Sequence, residues 1–249
     1  MIDIIYLTFI FIYGIVIGSF LNVCILRIPA NESLSKERSH CMSCGYQLRW
    51  YDLIPVFSYL CLKGKCRKCG KKISLQYPIV EAINGIMYVV IFGVNGYNYE
   101  SVIYCLLFSA LLVLSVIDFR TYEIPPKINI FILIIGIIET IIDYERWHEH
   151  VIGFFAISVF VWLLYVVTNG RAMGGGDVKL MAAAGVVIGW KRIIVAFFLG
   201  CIIGSIIHPI RMKVSGEDHA LAFGPYLAMA ITICMLFGYE MIEWYLGYL

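Results

Sequence analysis

Two aspartates stand where a carboxylate is costly. Asp177 follows three consecutive glycines in Ala172-Met173-Gly174-Gly175-Gly176-Asp177-Val178-Lys179-Leu180, between two strongly apolar segments. Asp118 closes the apolar run 101–117 and opens Asp118-Phe119-Arg120-Thr121-Tyr122-Glu123-Ile124-Pro125-Pro126. An acid at the centre of a membrane helix costs roughly 2.5–3.5 kcal/mol, so acids at such segments are functional candidates. Each has a plainer reading. Asp177 could N-cap the next helix. Asp118 could be a polar residue leaving the bilayer, although an acid at a helix C-terminus opposes the macrodipole and is not explained by capping. Two carboxylates at one depth on different helices are what an aspartic peptidase needs. Like-charge repulsion keeps one proton between them, one acts as base on a water, and the protonated one polarises the scissile carbonyl. Glycines before Asp177 would let an extended peptide lie close. Lys179 is read as contacting headgroups or tuning the field, and Glu123 as a weaker acid candidate.

A second group can hold a metal. Cys41-Met42-Ser43-Cys44 and Cys66-Arg67-Lys68-Cys69 are two C-x-x-C pairs with 21 residues between them, and Gly45 and Gly70 follow the second cysteine of each. Two such knuckles complete a tetrahedral, structural zinc site. A redox dithiol is the competing reading, but no thioredoxin-like βαβ pattern surrounds either pair. Cys61, between the knuckles, reads as a spare small hydrophobe.

The elements that must position these groups are membrane helices. The chain is 249 residues long, 61% hydrophobic and 14% charged, against about 25% charged in ordinary globular domains. The expected fold is an all-α polytopic membrane protein, not a soluble enzyme, and its first apolar run has no cleavable-signal features. Spans are expected at 4–26, 79–94, 101–117, 128–142, 151–168, 178–190, 193–210 and 222–243. That makes about eight, or six or seven if the short ones are broken, since a perpendicular span needs ~20 residues. Gly14 and Gly18 offer a small-residue packing face in the first span, where Asn22 reads as an interhelical hydrogen bond. The expected domains are the first helix 1–26, a polar zinc-binding loop 27–78, and a membrane core 79–249 with about seven further helices. Ten Lys and Arg lie in the loop against three acids. The positive-inside rule then puts the N-terminus outside, the loop in the cytoplasm, and both aspartates at the cytoplasmic face. Arg146, Lys191 and Arg192 are left outside.

These residues together resemble the G-x-G-D intramembrane aspartyl peptidases, and more specifically the type IV prepilin peptidases. The resemblance rests on an ordered set that covers nearly the whole chain. It includes Gly18-Ser19-Phe20-Leu21-Asn22-Val23 with Arg27-x-Pro29, both cysteine pairs, and Tyr77-Pro78-x-Val80-Glu81. It continues with Asp118 and Ile124-Pro125, Gly174-x-Gly176-Asp177, and Phe223-Gly224-Pro225-Tyr226-Leu227-Ala228. It implies an enzyme of the bacterial cytoplasmic (inner) membrane that removes a short basic leader from type IV prepilin-like or pseudopilin precursors. It also implies methylation of the new N-terminus with S-adenosylmethionine, and Asp118 and Asp177 as the catalytic pair, supported by Gly174, Gly176 and Lys179. Glu81 and Gly85 fall where methyl transfer is thought to depend on the segment after the loop, yet no glycine-rich fingerprint independently marks a cofactor site. The partners implied are the precursors and the lipid bilayer, with no nucleic acid. Two other classes remain open: an ion-coupled transporter using both aspartates, for which no internal repeat is visible, and a non-catalytic assembly factor that would tolerate Asp→Asn.

Overall fold

The computed structural model describes residues 2–35, 38–171, 173–215 and 222–247. Lys36 and Glu37 of the loop charge pattern, and Ala172 of the glycine-aspartate stretch, lie outside the described residues. The order is α1 (Ile2–Arg27), a 3-10 turn (Trp50–Leu53), α2 (Phe57–Cys61), α3 (Gln76–Asn95), α4 (Tyr99–Thr121), α5 (Pro126–Ile142), α6 (Trp147–Ala156), α7 (Ser158–Val167), α8 (Gly175–Ile188), α9 (Trp190–Ser215) and α10 (Gly224–Leu246), with a second 3-10 turn before α6. Only isolated bridges interrupt the helical character of the described residues. Helices stand at all eight expected places. Six stretches are long and apolar enough to cross a membrane, with α6 and α7 counted as one. The segments 128–142 and 178–190 correspond to helices of 17 and 14 residues, so length supports six spans and does not confirm eight. The protein is a multi-pass membrane protein.

The chain divides into two compact units, 1–98 and 99–249. In the first, α3 packs on α1, so the helix that the sequence grouped with the later core lies with the N-terminal one. The crossing is close because glycines form it. A Cβ on Gly14 would stand 2.8 Å from Gly85 Cα, and one on Gly18 2.7 Å from Glu81 Cα. Asn84 Nδ2 donates to Gly14 O at 2.7 Å, Asn22 Nδ2 to Tyr77 O at 3.1 Å, and Gln76 Nε2 to Asn22 Oδ1 at 3.2 Å. Small residues with interhelical hydrogen bonds are how helices associate where lipid supplies no hydrophobic drive.

In the second unit α8 is the central element. Residues 180–188 are all buried, as expected of a helix that is apolar all round. Gly136 of α5 faces Val186, with a Cβ there 2.8 Å from its Cγ1, and Gly153 of α6 meets the backbone of Gly185. A helix of 14 residues is about 21 Å long, short of the ~30 Å hydrocarbon core. Its surroundings are protein, which makes the short length tolerable.

Polar groups gather around the far ends of α4 and α5. Arg192, expected on the outer side of the membrane, is buried within protein. It donates to Tyr104 OH at 2.5 Å and to Ile188 O at 2.6 Å, and lies 4.6 Å from the Tyr239 ring centroid. Buried His150 is 2.7 Å from Val186 O through Nδ1, and Arg146 pairs with Asp143 at 2.6 Å. A buried charge needs partners, and sequence distance hid these.

Candidate active site and metal centre

Asp118 lies in the last turn of α4, where the helix's own carbonyls disfavour an acid. Tyr122, at φ 55°, closes that turn with an N–H bond to Asp118 O at 2.8 Å. The carboxylate is compensated from elsewhere: Gly224, the first residue of α10, donates its N–H to Asp118 Oδ2 at 2.9 Å. An unpaired N–H at a helix start is a natural anion donor. Gly224 must be glycine here, since a Cβ would stand 2.7 Å from Oδ2. Sequence reading used Gly224 only as part of a resemblance. The signal was a Gly-Pro pair just before an apolar run, which opens a helix.

Asp177 is the third residue of α8, and its Oδ2 accepts the Gly174 N–H at 3.1 Å. The capping reading therefore holds in substance, although Gly174 occupies the cap position and Asp177 reaches back to it. Both aspartates are buried. In the second unit each candidate carboxylate rests one oxygen on a glycine N–H at a helix start. The second oxygen of each is not part of these bonds.

Gly176 has a different partner from the one expected. A Cβ there would stand 2.8 Å from Ile124 Cβ, so the space beside it is filled by this chain rather than held open for a substrate. Asn129 of α5, missed in the sequence, donates from Nδ2 to Gly176 O at 3.3 Å, and its buried Oδ1 has no hydrogen-bond partner among the described residues. Lys179 is exposed, and residues two apart on a helix do not share a face; the structure does not bring it to the carboxylates. Gly176→Val is expected to lose cleavage through the Ile124 clash. Pairing it with Ile124→Gly should recover a measurable part in a peptide-cleavage assay. Failure of the pair to recover, with membrane insertion intact, would instead favour a direct substrate role for Gly176.

In the first unit the four cysteines converge. Their sulfurs all lie within 4.8 Å of one another, Cys41 Sγ and Cys69 Sγ being 4.0 Å apart. Tetrahedral zinc with Zn–S bonds of about 2.3 Å requires sulfurs ~3.8 Å apart, so the set fits a metal ion. The two knuckles repeat one design. Cys41 N–H bonds Tyr46 O and Gly45 N–H bonds Cys41 O; Cys66 N–H bonds Lys71 O and Gly70 N–H bonds Cys66 O, all at 2.9 Å. Gly45 and Gly70 have φ of 67° and 70°, the left-handed turn that glycine makes without strain. Backbone N–H groups of Ser43 and Cys44 hold the Cys41 thiol well below its usual range, which favours the thiolate that ligates metal. Asp52 braces the loop. Its Oδ1 lies 2.8 Å from Arg67 Nε, and its Oδ2 accepts Arg49 N–H at 3.2 Å. Burial alone would raise its pKa, but these donors hold the carboxyl below the usual range. Cys61 is exposed rather than buried, so its expected role as a small hydrophobe has no packing to support it.

Glu81 and Gly85 do not form an open cradle. Glu81 Oε2 accepts Val56 N–H at 2.7 Å, and Ser19 also bonds this carboxylate. A Cβ on Gly85 would meet Ile15 Cγ2 at 2.5 Å and Phe11 at 3.0 Å. Both positions pack the helices and loop of the first unit together.

Comparison with known proteins agrees in both units. Residues 12–94 match the family described as "Bacterial Peptidase A24 N-terminal domain", and residues 105–208 match the "Type IV leader peptidase family". A Bacillus subtilis protein named "Prepilin leader peptidase/N-methyltransferase" is 31% identical over 246 residues, covering 96% of this chain and 98% of that protein. Proteins of the same name from Xanthomonas campestris pv. campestris and Pseudomonas putida are each 31% identical, covering 94% of this chain and 92% of their own length. No solved structure matches.

Proposed function

The chain belongs to the type IV leader peptidase family, and from that premise we propose that it is a membrane aspartic endopeptidase that removes the leader from type IV prepilin-like precursors and methylates the new N-terminal amine. The observation that carries the reading is the pair Asp118 and Asp177, both buried and each seated on a glycine N–H. A pair that shares one proton can divide the work. The ionised carboxylate takes a proton from water as the oxygen attacks the carbonyl carbon, and the protonated one hydrogen-bonds the carbonyl oxygen. When the tetrahedral adduct collapses, the C–N bond breaks and the leaving amine takes a proton from the dyad. The fixed N–H donors hold each carboxylate in place, so little reorganisation accompanies the step.

The excess of Lys and Arg in the loop supports, by the positive-inside rule, a cytoplasmic loop, an external N-terminus and both aspartates at the cytoplasmic side of the inner membrane. The substrate's apolar helix would lie in the bilayer, with its leader emerging on that side. Precursors of pilins or pseudopilins are the partners. S-adenosylmethionine supplies the methyl group. Glu81 and Gly85 support that activity by holding the first unit's helices and loop, and we route no step through them.

Zinc is the metal proposed for Cys41, Cys44, Cys66 and Cys69. Four thiolates leave no open position, so its role is to staple the loop. Elemental analysis of purified protein should find one zinc per chain. Cys66→Ser should lose it and expose residues 38–72 to proteolysis, while the membrane helices stay folded. Zinc-free wild-type protein with an intact loop would refute the assignment.

The deciding experiment incubates detergent-purified protein with a synthetic prepilin leader segment, with and without S-adenosylmethionine. Mass spectrometry should show cleavage in both and a 14 Da gain, the mass of one added CH₂, only with the donor. An intact segment after incubation with zinc-replete protein would overturn the peptidase reading.

A further inference from the structure

The loop of the first unit carries an apolar surface that its zinc fold does not need. Trp50 is 77% exposed, Leu60 66% and Phe57 63%, and Leu53 and Ile54 are exposed beside them. A small polar domain gains nothing by presenting such residues to water, and clustered exposure of this kind marks an interaction surface. The same loop is strongly cationic. Residues 38–72 carry eight Lys and Arg, all exposed, and one acid, Asp52, which is already bonded to Arg67. A four-thiolate zinc centre adds a formal charge of about −2 and leaves the balance positive.

The backbone fixes where this surface sits. Val56 has φ 60° and ψ −50°, and Phe57 N–H bonds Pro55 O at 2.5 Å. That is a γ-turn of the strained kind, unusual for a β-branched residue. Glu81 holds it by accepting the Val56 N–H. Glu81 is the sixth residue of α3, inside a candidate membrane span, and so lies about 7.5 Å along the axis from the helix start. The turn is therefore tied beside the first turns of a membrane helix, with exposed Phe57 directly after it. Leu60 follows one helical turn later on α2, and Tyr59 OH donates to Ile73 O at 3.3 Å to close the segment.

Aromatic and aliphatic side chains at the level of a membrane entry, in a loop that also carries eight exposed lysines and arginines, match one chemistry: an anionic bilayer surface, into which the apolar groups insert while the cations meet headgroups. The charge also argues against the obvious protein partner. A basic leader would be repelled by a basic loop. We propose that residues 50–61 and the surrounding cations form an interfacial foot that binds the anionic phospholipid surface of the membrane and so fixes the zinc loop against it.

The test does not use cleavage, so it stands or falls apart from the peptidase reading. The full chain is reconstituted in nanodiscs of phosphatidylcholine alone or of an equimolar mixture with phosphatidylglycerol, and amide hydrogen exchange is followed across residues 50–61. Exchange should be several-fold slower in the mixed discs, and the difference should vanish at high salt. Lys63→Gln/Lys71→Gln/Lys72→Gln should lose the dependence on phosphatidylglycerol. Phe57→Ser/Leu60→Ser should lose protection in both discs while keeping zinc. Equal exchange in both lipids and in detergent would overturn the proposal. So would protection that arises only when a prepilin segment is added, since the surface would then belong to a protein partner.

Discussion

Asp118→Asn and Asp177→Asn are each expected to lower leader cleavage about 10⁴-fold or more, with the double variant scarcely worse than either single one. Each carboxylate has a role the other cannot fill. The ionised one must accept the water's proton, and an amide cannot. The neutral one must donate to the carbonyl oxygen and then yield its proton to the leaving amine, and an amide does not release a proton. Asparagine keeps the volume and one oxygen able to accept the Gly224 or Gly174 N–H, at 2.9 and 3.1 Å in the native chain. Folding should therefore survive. The measurement is single-turnover cleavage in detergent, with zinc content and thermal unfolding followed in the same samples. Normal processing by either variant at equal protein level would remove the dyad, and with it the peptidase assignment. A transporter or assembly factor would show no such pair of losses in a purified cleavage assay.

Gly224→Ala carries the second largest expected effect, on the order of a 10²-fold loss in kcat. The added methyl would stand 2.7 Å from Asp118 Oδ2 and 3.1 Å from Leu114 Cδ2. The N–H donor remains, so the change isolates position from hydrogen bonding. The carboxylate must move by several tenths of an ångström from its native position. Substrate affinity should change far less than kcat, because the methyl is directed at the carboxylate. Gly93→Ala is the control, since a Cβ there meets nothing within 4 Å. Equal kinetics for Gly224→Ala and wild type would show that Asp118 does not depend on the start of α10.

The acids and cysteines proposed for these sites were legible in the residues. Asp118 and Asp177 stood out because acids at the ends of apolar runs are rare. The four cysteines stood out because C-x-x-C repeated with a glycine after each pair. Gly14, Gly18 and Asn22 read correctly as a helix-packing face, because the small-residue spacing and the polar group lie on one element. The relations that cross long stretches of chain were hidden. Gly224 lies 106 residues from the carboxylate it holds, and Asn129 lies 47 from Gly176. The same applies to Arg192, whose Tyr104 partner is 88 residues away. Gly176 shows the opposite failure. Its motif was recognised, but the motif does not say what fills the space, and Ile124 does.

The sheathing of α8 by α5 and α6 has a consequence for how the enzyme should respond to its lipids. Helices that face lipid adjust tilt and depth as the bilayer thickens or thins. The depth of α8 is set instead by contacts to protein, with Gly136 seated on Val186 and Gly153 on Gly185. The level of Asp177 at its start is therefore held by side-chain registry rather than by hydrophobic matching. Chain length of the surrounding phospholipid should alter how the substrate's helix presents its leader, and hence KM, while leaving the chemical step almost untouched.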